Sequence, residues 1–249
     1  MNQIKAWMVF TLIGFCSAFS GFPVSAKTLF EDDFSAGMDN WEIIGPGEGI
    51  QWDADIKTDN SAPAGYGPKV LFMTEPGSGS DLMAFAKDVT VTDGFYEILW
   101  KDVGLPEDTD GPLWFRGQDP QSGPNTGNGY LVELDTDTGL HIGVTKGGTE
   151  GPTFTSPGAE MSSGDWTWMK VRFEGPSIKV RIWFADEDEP DTWNLEAEDA
   201  SFTEGTVGLR CWSGTSHTAY IRVSDLGGPT PEAVEPQGKL ANAWGGIKL

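Results

Sequence analysis

The sequence is poor in cationic residues and has very little cysteine or histidine. It contains 16 lysines and arginines against 38 aspartates and glutamates, which gives a formal net charge of −22. Such an acidic chain is a poor partner for nucleic acid or for an anionic membrane surface, because the phosphates of both repel it. We therefore expect no nucleic-acid partner, whereas divalent cations would be attracted to its surface.

Long apolar runs are also scarce, and the longest lies at the N-terminus. The run MVFTLIGFCSAF is shorter than the roughly 18 to 20 apolar residues of a membrane-spanning helix. A lysine precedes it, and Val24 and Ala26 place small side chains at the −3 and −1 positions of a cleavage site. Residues 1–26 are therefore predicted to be a secretory signal peptide, which implies an extracellular or periplasmic protein without membrane insertion after cleavage. A retained anchor is the alternative.

Cleavage after Ala26 would leave Cys211 as the only cysteine, so no intrachain disulfide would be possible. Secretion permits disulfides, but a chain of this length can bury a sufficient core without them. Cys211 occupies an inward position in an alternating strand pattern, so we expect a buried and unreactive thiol.

Patterns of helical period are absent as well, and strand and turn patterns take their place. The chain has 33 glycines and 16 prolines, and short alternating runs recur between clusters of turn residues. This is typical of an all-β sandwich, which often forms one domain of about 200–250 residues. We predict one domain over residues 27–228. Residues 229–249 are predicted to be a Pro/Gly-rich linker and a short tail, either docked to an envelope partner or unstructured.

The stretch KVRFEGPSIKVRI gives the clearest hairpin. With the turn at Gly175–Pro176 and Phe173 opposite Ile178, aliphatic side chains share one face and cationic side chains share the other. A slip of one residue would turn the charges into the core. The predicted inward set is Met169, Val171, Phe173, Ile178, Val180, Ile182 and Phe184, and the outward set is Trp168, Lys170, Arg172, Lys179, Arg181 and Trp183.

The remaining arginines follow the same pattern, each beside an apolar inward neighbour and two residues from an aromatic. The pairs are Trp114 with Arg116, Arg210 with Trp212, and Tyr220 with Arg222. One interpretation is structural: the cations pair with acids on neighbouring strands, such as Glu97 and Glu133, and their stems cover apolar surface.

The other interpretation is functional, because indole rings stack on sugars and guanidinium groups bind hydroxyls and carboxylates. It makes Trp114, Arg116, Arg210 and Trp212 the candidate ligand contacts. A locally positive strip on an acidic protein would then favour polysaccharides or other glycans that are anionic.

Four segments together resemble concanavalin A-like lectin/glucanase jelly rolls. They are FEDDFSAGMDNW, WFRGQDP with NGYLVELD, WTWMKVRFEG, and GTVGLRCWSGTSHTAYIRVSDL. The chain is similar in particular to laminin-G-like and 3-keto-disaccharide hydrolase-like domains of secreted bacterial proteins, over about Leu29 to Leu226. The resemblance implies two antiparallel sheets, one of them concave, with glycans on the concave face or at the rim loops.

The stretch ELDTD resembles the Glu-x-Asp-x-Glu strand of family 16 glucanases. That likeness implies a catalytic role for Glu133 and Asp135, because retaining glycoside hydrolysis uses a pair of carboxylic acids. The pattern departs from the family at Asp137, which replaces the final glutamate and falls in a predicted hairpin turn. Hydrolysis by Glu133 and Asp135 is therefore an alternative to binding without catalysis.

Jelly rolls of this kind often hold a structural calcium near the chain ends. Calcium prefers oxygen ligands, and Glu31, Asp33 and Asp225 lie on the first and last predicted strands, so they are the candidate ligands. His141 and His217 have no ligand spacing nearby, and His217 falls in a predicted loop, so we expect both to be structural.

Taken together, these features favour a secreted, acidic, non-catalytic carbohydrate-binding module with a lectin-like β-sandwich. A glycoside hydrolase that uses Glu133 and Asp135 is the first alternative. A structural or adhesive cell-surface module, docked through residues 229–249, is the second.

Overall fold

The computed structural model describes residues 26–75, 77, 81–103, 111–121, 127–135, 139–156 and 164–227. The predicted cleavage segment before Ala26, the predicted tail and the turn residue Asp137 lie outside these ranges. No helix long and apolar enough to cross a membrane occurs in the described ranges.

Fifteen β-strands form the described part of the domain. In chain order they are β1 (Thr28–Asp32), β2 (Trp41–Ile44), β3 (Asp53–Thr58), β4 (Lys69–Thr74), β5 (Asp81–Ala86), β6 (Gly94–Asp102), β7 (Pro112–Gln118), β8 (Asn128–Asp135), β9 (Gly139–Thr145), β10 (Glu150–Ser156), β11 (Thr167–Glu174), β12 (Ser177–Phe184), β13 (Leu195–Glu198), β14 (Thr206–Trp212) and β15 (Thr215–Ser224).

The strands form two antiparallel sheets that pack face to face. The eight-stranded sheet has the order β13-β12-β11-β6-β15-β4-β3, with β1 paired to β15. The seven-stranded sheet has the order β10-β9-β8-β7-β14-β5-β2. The predicted all-β, two-sheet antiparallel sandwich is confirmed.

The hairpin of β11 and β12 has the predicted register. Lys170 lies opposite Arg181, and Phe173 lies opposite Ile178. Val171 and Val180 are fully buried between the two sheets. Strand parity therefore separates apolar from cationic residues here as the sequence indicates.

The cations of this hairpin have carboxylate partners. Lys170 Nζ lies 3.0 Å from a Glu97 oxygen on β6 and 2.9 Å from Glu189 Oε1. Arg181 also pairs with Glu189, and Arg222 on β15 shares Glu97. The structural interpretation of the cation-rich hairpin is therefore confirmed.

The outer positions of this sheet are less exposed than the parity pattern suggests. Lys170 is fully buried, and Arg181 is largely buried because it donates to the backbone oxygen of Pro190 and lies over the ring of Trp193. The acidic segment of residues 186–191 therefore covers part of the outer face, and its Glu189 is an ion-pair partner rather than a solvated side chain.

The core lies between the sheets and contains both large aromatics and Cys211. Phe115 stacks on Tyr130 and contacts Phe173, so the two sheets meet through aromatic rings. Cys211 is buried among these residues, and its burial raises the pKa of the thiol to about 12. The expected inward position of Cys211 is confirmed, and the low reactivity of its thiol stays a prediction.

Arg116 does not point outward as predicted. Its backbone has a φ of +48° at an irregularity in β7, which breaks the alternation of the strand. The side chain is fully buried, and its guanidinium group donates to the backbone oxygens of Thr92, Gly175 and Phe202. Arg116 therefore joins three turns at one end of the sandwich instead of lying on a sheet face.

Candidate functional site

A row of polar side chains crosses the outer face of the seven-stranded sheet. Glu133 on β8 lies between Pro112 on β7 and His141 on β9. Leu209 pairs with Leu113, which places Arg210 on β14 beside Pro112. The chain neighbours of these polar residues belong to the core between the sheets. Because successive side chains of a strand point to opposite faces, Arg210, Glu133 and His141 all lie on the outer face of the sheet.

Arg210 is held on two sides by carboxylates. Its Nε lies 2.5 Å from Asp81 Oδ1, and its Nη1 pairs with Oε1 of Glu133. All three side chains are almost completely buried. A buried charge needs such partners, because an unpaired one would lose its hydration without compensation. The guanidinium group is consequently fixed in position.

Trp212 covers the guanidinium group of Arg210. The Arg210 Cζ lies 4.8 Å from the Trp212 ring centroid, which is a cation–π distance. Trp212 is partly exposed, so it presents an aromatic surface beside a fixed cation. The outward position predicted for both residues is correct, although Arg210 lies beneath the surface rather than on it.

His141 connects Glu133 to a third carboxylate. Its Nε2 pairs with the second oxygen of Glu133 and lies 3.9 Å from Oε1 of Glu150 on β10. Glu150 bends over Gly143, where a Cβ would collide with its carboxylate. Burial raises the pKa of Glu150, and the charge of nearby Asp81 adds to this, while His141 opposes it.

A row of apolar side chains lies beside this polar row. Trp114 is fully buried there and packs edge-on against Phe85, with Met83, Leu131 and Ile44 in the same cluster. A Cβ on Gly117, Gly127 or Gly129 would collide with the indole. The expectation of an exposed Trp114 ring is therefore wrong, because three close glycines enclose it.

Of the predicted catalytic pair, Glu133 and Asp135, the structure describes the side chain of Glu133. Glu133 and Asp135 both lie on β8, and Asp135 pairs with Gly139 at the end of the strand. Of the two, Glu133 is buried, with one oxygen on Arg210 and the other on His141. The Asp135 side chain lies outside the described atoms.

The three predicted calcium ligands do not come together. The amide of Lys27 donates to Asp225, Tyr220 donates to Glu31, and Ser35 donates to Asp33. Asp225 lies opposite Lys27, so the antiparallel pairing of β1 with β15 carries Glu31 away from it. Each of the three predicted ligands therefore has a separate hydrogen-bond partner in the structure, and a structural calcium there stays a prediction. The described residues contain one cluster with metal-ligand geometry, Glu133, His141 and Glu150.

The histidines differ from expectation in two ways. His217 lies on β15 rather than in a loop, and its Nδ1 is 2.6 Å from Asp59. His141 belongs to a carboxylate cluster that sequence spacing does not reveal, because its partners come from neighbouring strands. The strand alternation of GLHIGV, with His141 outward opposite Glu133, is the signal that would have found it.

A separate depression of about 550 Å³ lies near the outer face of the eight-stranded sheet. Its acidic side chains are exposed, and its indole donor, Trp166 Nε1, is already bonded to Ser61. Solvated carboxylates are common on such an acidic chain, so the buried polar row is the stronger candidate. The depression is lined by Pro63, Asp165, Trp166, Phe184, Ala185, Asp186 and Glu187.

No family model matches this chain. A levanase from Bacillus sp. (strain L7) is 25% identical to it over 224 residues. The match covers 88% of this chain and 20% of the levanase. The chain therefore spans only a small part of the length of that curated relative.

Solved structures similar to this chain share its architecture. The carbohydrate binding module CBM66 from Bacillus subtilis aligns with a TM-score of 0.53 and 19% identity, over 76% of this chain and 97% of the module. A protein of unknown function with a galectin-like fold from Bacillus subtilis aligns with a TM-score of 0.54 and 11% identity, over 81% of this chain and 98% of that protein. The VIP36 exoplasmic/lumenal domain, in its Ca²⁺/Man2-bound form, aligns with a TM-score of 0.50 and 14% identity, over 77% of this chain and 90% of that domain. The predicted concanavalin A-like jelly-roll fold is confirmed.

Proposed function

We propose that this domain binds a carbohydrate without cleaving it, and that the ligand lies against the partly exposed Trp212, above the buried Arg210, on the seven-stranded sheet. The similar proteins support a role of this class, since they include a carbohydrate binding module and a lectin-like domain bound to Man2. The fold itself hosts many activities, so the argument depends on the side chains of the site.

The observation that carries the proposal is the Arg210–Trp212 pair. Asp81 and Glu133 hold the guanidinium group from two sides, and the partly exposed indole lies over it. An indole face stacks on the apolar face of a sugar ring, and the buried guanidinium group supports this indole from beneath. Because the pair is already fixed, little side-chain entropy would be lost on binding.

The charge balance of the site favours a neutral sugar. Asp81, Glu133 and Glu150 bring three carboxylates to a region whose permanent cation is Arg210. A uronic acid or a sulfated sugar would meet this negative excess, whereas hydroxyl groups would donate to it. We therefore propose a neutral polysaccharide as ligand instead of the anionic one that the sequence suggested.

Binding is favoured over hydrolysis by the state of Glu133. A retaining glycosidase needs two carboxyl groups about 5–5.5 Å apart, one of them acting as nucleophile. Both oxygens of Glu133 are engaged by Arg210 and His141, which makes this carboxylate a positioning group. Hydrolysis through Glu133 and Asp135 remains the competing proposal, and similarity to a levanase supports it.

The test is affinity electrophoresis of the purified domain in gels that contain levan, inulin, mannan or alginate. We choose levan first because a levanase is a relative. Trp212→Ala should weaken binding by roughly tenfold or more, as removal of a central aromatic contact does. Trp193→Ala is the matched control, because Trp193 also packs on a guanidinium group, that of Arg181, on the opposite sheet.

Each of the following results would overturn part or all of the proposal. Retention that is absent on all three neutral polymers, or equal for the two tryptophan variants, would remove this site as the binding surface. Release of reducing sugar by the wild type, with loss of that activity in Glu133→Gln, would replace binding with hydrolysis. Retention on alginate alone would restore the anionic ligand.

A further inference from the structure

Three potential metal ligands converge on the outer face of the seven-stranded sheet. They are His141 Nε2 and one carboxylate oxygen each of Glu133 and Glu150, all within 4.8 Å of one another. They come from the adjacent strands β8, β9 and β10. We propose that Glu133, His141 and Glu150 form a binding site for a divalent transition-metal ion of the zinc class.

The surrounding residues orient Glu133 for this role. Arg210 holds Oε1 of Glu133 and leaves the other oxygen facing His141. Ligating carboxylates in metal sites are commonly fixed by such a second contact, which raises metal affinity. The β8–β9 pairing keeps Glu133 directly opposite His141, so two of the ligands are preset by the sheet.

Glu150 provides independent support through its geometry. Its carboxylate turns inward over Gly143 instead of extending into solvent. Its Oε1 lies 3.9 Å from His141 Nε2, which is too far for a hydrogen bond. A cation held between Glu150, His141 and Glu133 would compensate for placing two carboxylates on the same face.

The donor set selects the class of ion. An imidazole nitrogen with two carboxylates suits zinc and related ions, whereas calcium takes six to eight oxygen ligands. Ligands about 2.0–2.1 Å from zinc lie about 3.3 Å from one another, so small side-chain rotations would close this cluster. Three protein ligands would leave one position open, as in zinc sites that bind a further molecule.

The test measures Zn²⁺ binding to the purified protein by titration calorimetry, and Co²⁺ binding by visible absorption. His141→Ala and Glu150→Gln should each weaken binding by at least about tenfold. His217→Ala is the matched control, since His217 also pairs with a carboxylate but lies on the opposite sheet.

Equal Zn²⁺ affinity in wild type, His141→Ala and Glu150→Gln would overturn the proposal, as would a site that takes Ca²⁺ but not Zn²⁺. Thermal melts establish that each variant is folded. Glu150→Gln keeps the side-chain shape at a half-buried position, so it remains informative if His141→Ala does not fold. The measurement uses the metal alone, so its failure would leave the carbohydrate proposal standing.

Discussion

Single charged residues in this domain differ in how deeply they and their partners are buried. Lys170 is inaccessible to solvent and contacts Glu97 and Glu189. Lys179, two strand positions from Arg181 on the same hairpin, pairs with Glu196, and both side chains are exposed in part. Removing one partner of a buried pair leaves an uncompensated charge, whereas an exposed pair is replaced by water at little cost.

Lys170→Met is therefore expected to lower the free energy of unfolding by about 3 kcal/mol, at the low end of the cost of breaking a buried pair. Arg222 and Arg181 remain as partners of the two glutamates and limit the loss. Lys179→Met, the matched control, should cost less than about 1 kcal/mol. Urea denaturation of both variants measures the difference, and equal losses would contradict the assigned burial.

Residue identity alone predicts the charge pairing better than it predicts exposure. The sequence indicates that Arg210 and Trp212 face outward, and they do. It also indicates an exposed Trp114 and an outward Arg116, and both are buried. In one case glycines of β7 and of the start of β8 enclose the Trp114 ring, and in the other a strand irregularity reverses the direction of the Arg116 side chain. Neither feature is visible in local alternation.

At the level of elements, the segment between β3 and β4 is joined to the eight-stranded sheet through one carboxylate. Asp59 lies 2.6 Å from Lys101 Nζ on β6 and 2.6 Å from His217 Nδ1 on β15, and it accepts a hydrogen bond from Ser61. Burial by itself would raise the pKa of Asp59. The hydrogen bonds from Lys101, Ser61 and His217 outweigh burial and hold that pKa well below its usual range.

The lowered pKa of Asp59 determines how the stability of the fold changes with pH. A carboxyl group whose pKa is lower in the folded than in the unfolded protein stabilises the fold above its unfolded pKa, about 3.9. That stabilisation is lost as pH falls below this value. Asp59→Asn should therefore lower the stability at pH 7 and flatten its decline between about pH 5 and 2. Urea midpoints across this range measure the slope, and parallel curves for both proteins would refute the assignment.

The two sheets use their outer faces differently. The eight-stranded sheet closes its outer face with ion pairs such as Lys170–Glu189 and with the aromatic cluster of Tyr66, Trp168 and Tyr220. The seven-stranded sheet instead gathers three carboxylates around Arg210 and His141. The carbohydrate and metal proposals therefore concern the same sheet. Their control residues belong to the other side of the sandwich, where Trp193 packs on Arg181 of β12 and His217 lies on β15.

For the whole molecule, net charge is the dominant electrostatic property. The net charge is −22, so the excess carboxylates repel one another in the folded state. Salt screens this repulsion, with a screening length of about 10 Å at 0.1 M. The melting temperature should therefore rise by several degrees when NaCl is raised from about 0.02 to 0.3 M. Calorimetric melts at constant pH measure this, and a fall in melting temperature would mean that attraction between surface ion pairs dominates.

Local sequence patterns predict the fold class and the face of most strand residues, because a strand alternates with a period of two and a slip would bury charge. They also predict the register of the β11–β12 hairpin, whose partners are close along the chain. Which outward residues meet depends instead on the order of the strands in the sheet. Arg210, Glu133 and His141 form one row because β14, β7, β8 and β9 are neighbours in a sheet, and such long-range strand order is not contained in local periodicity.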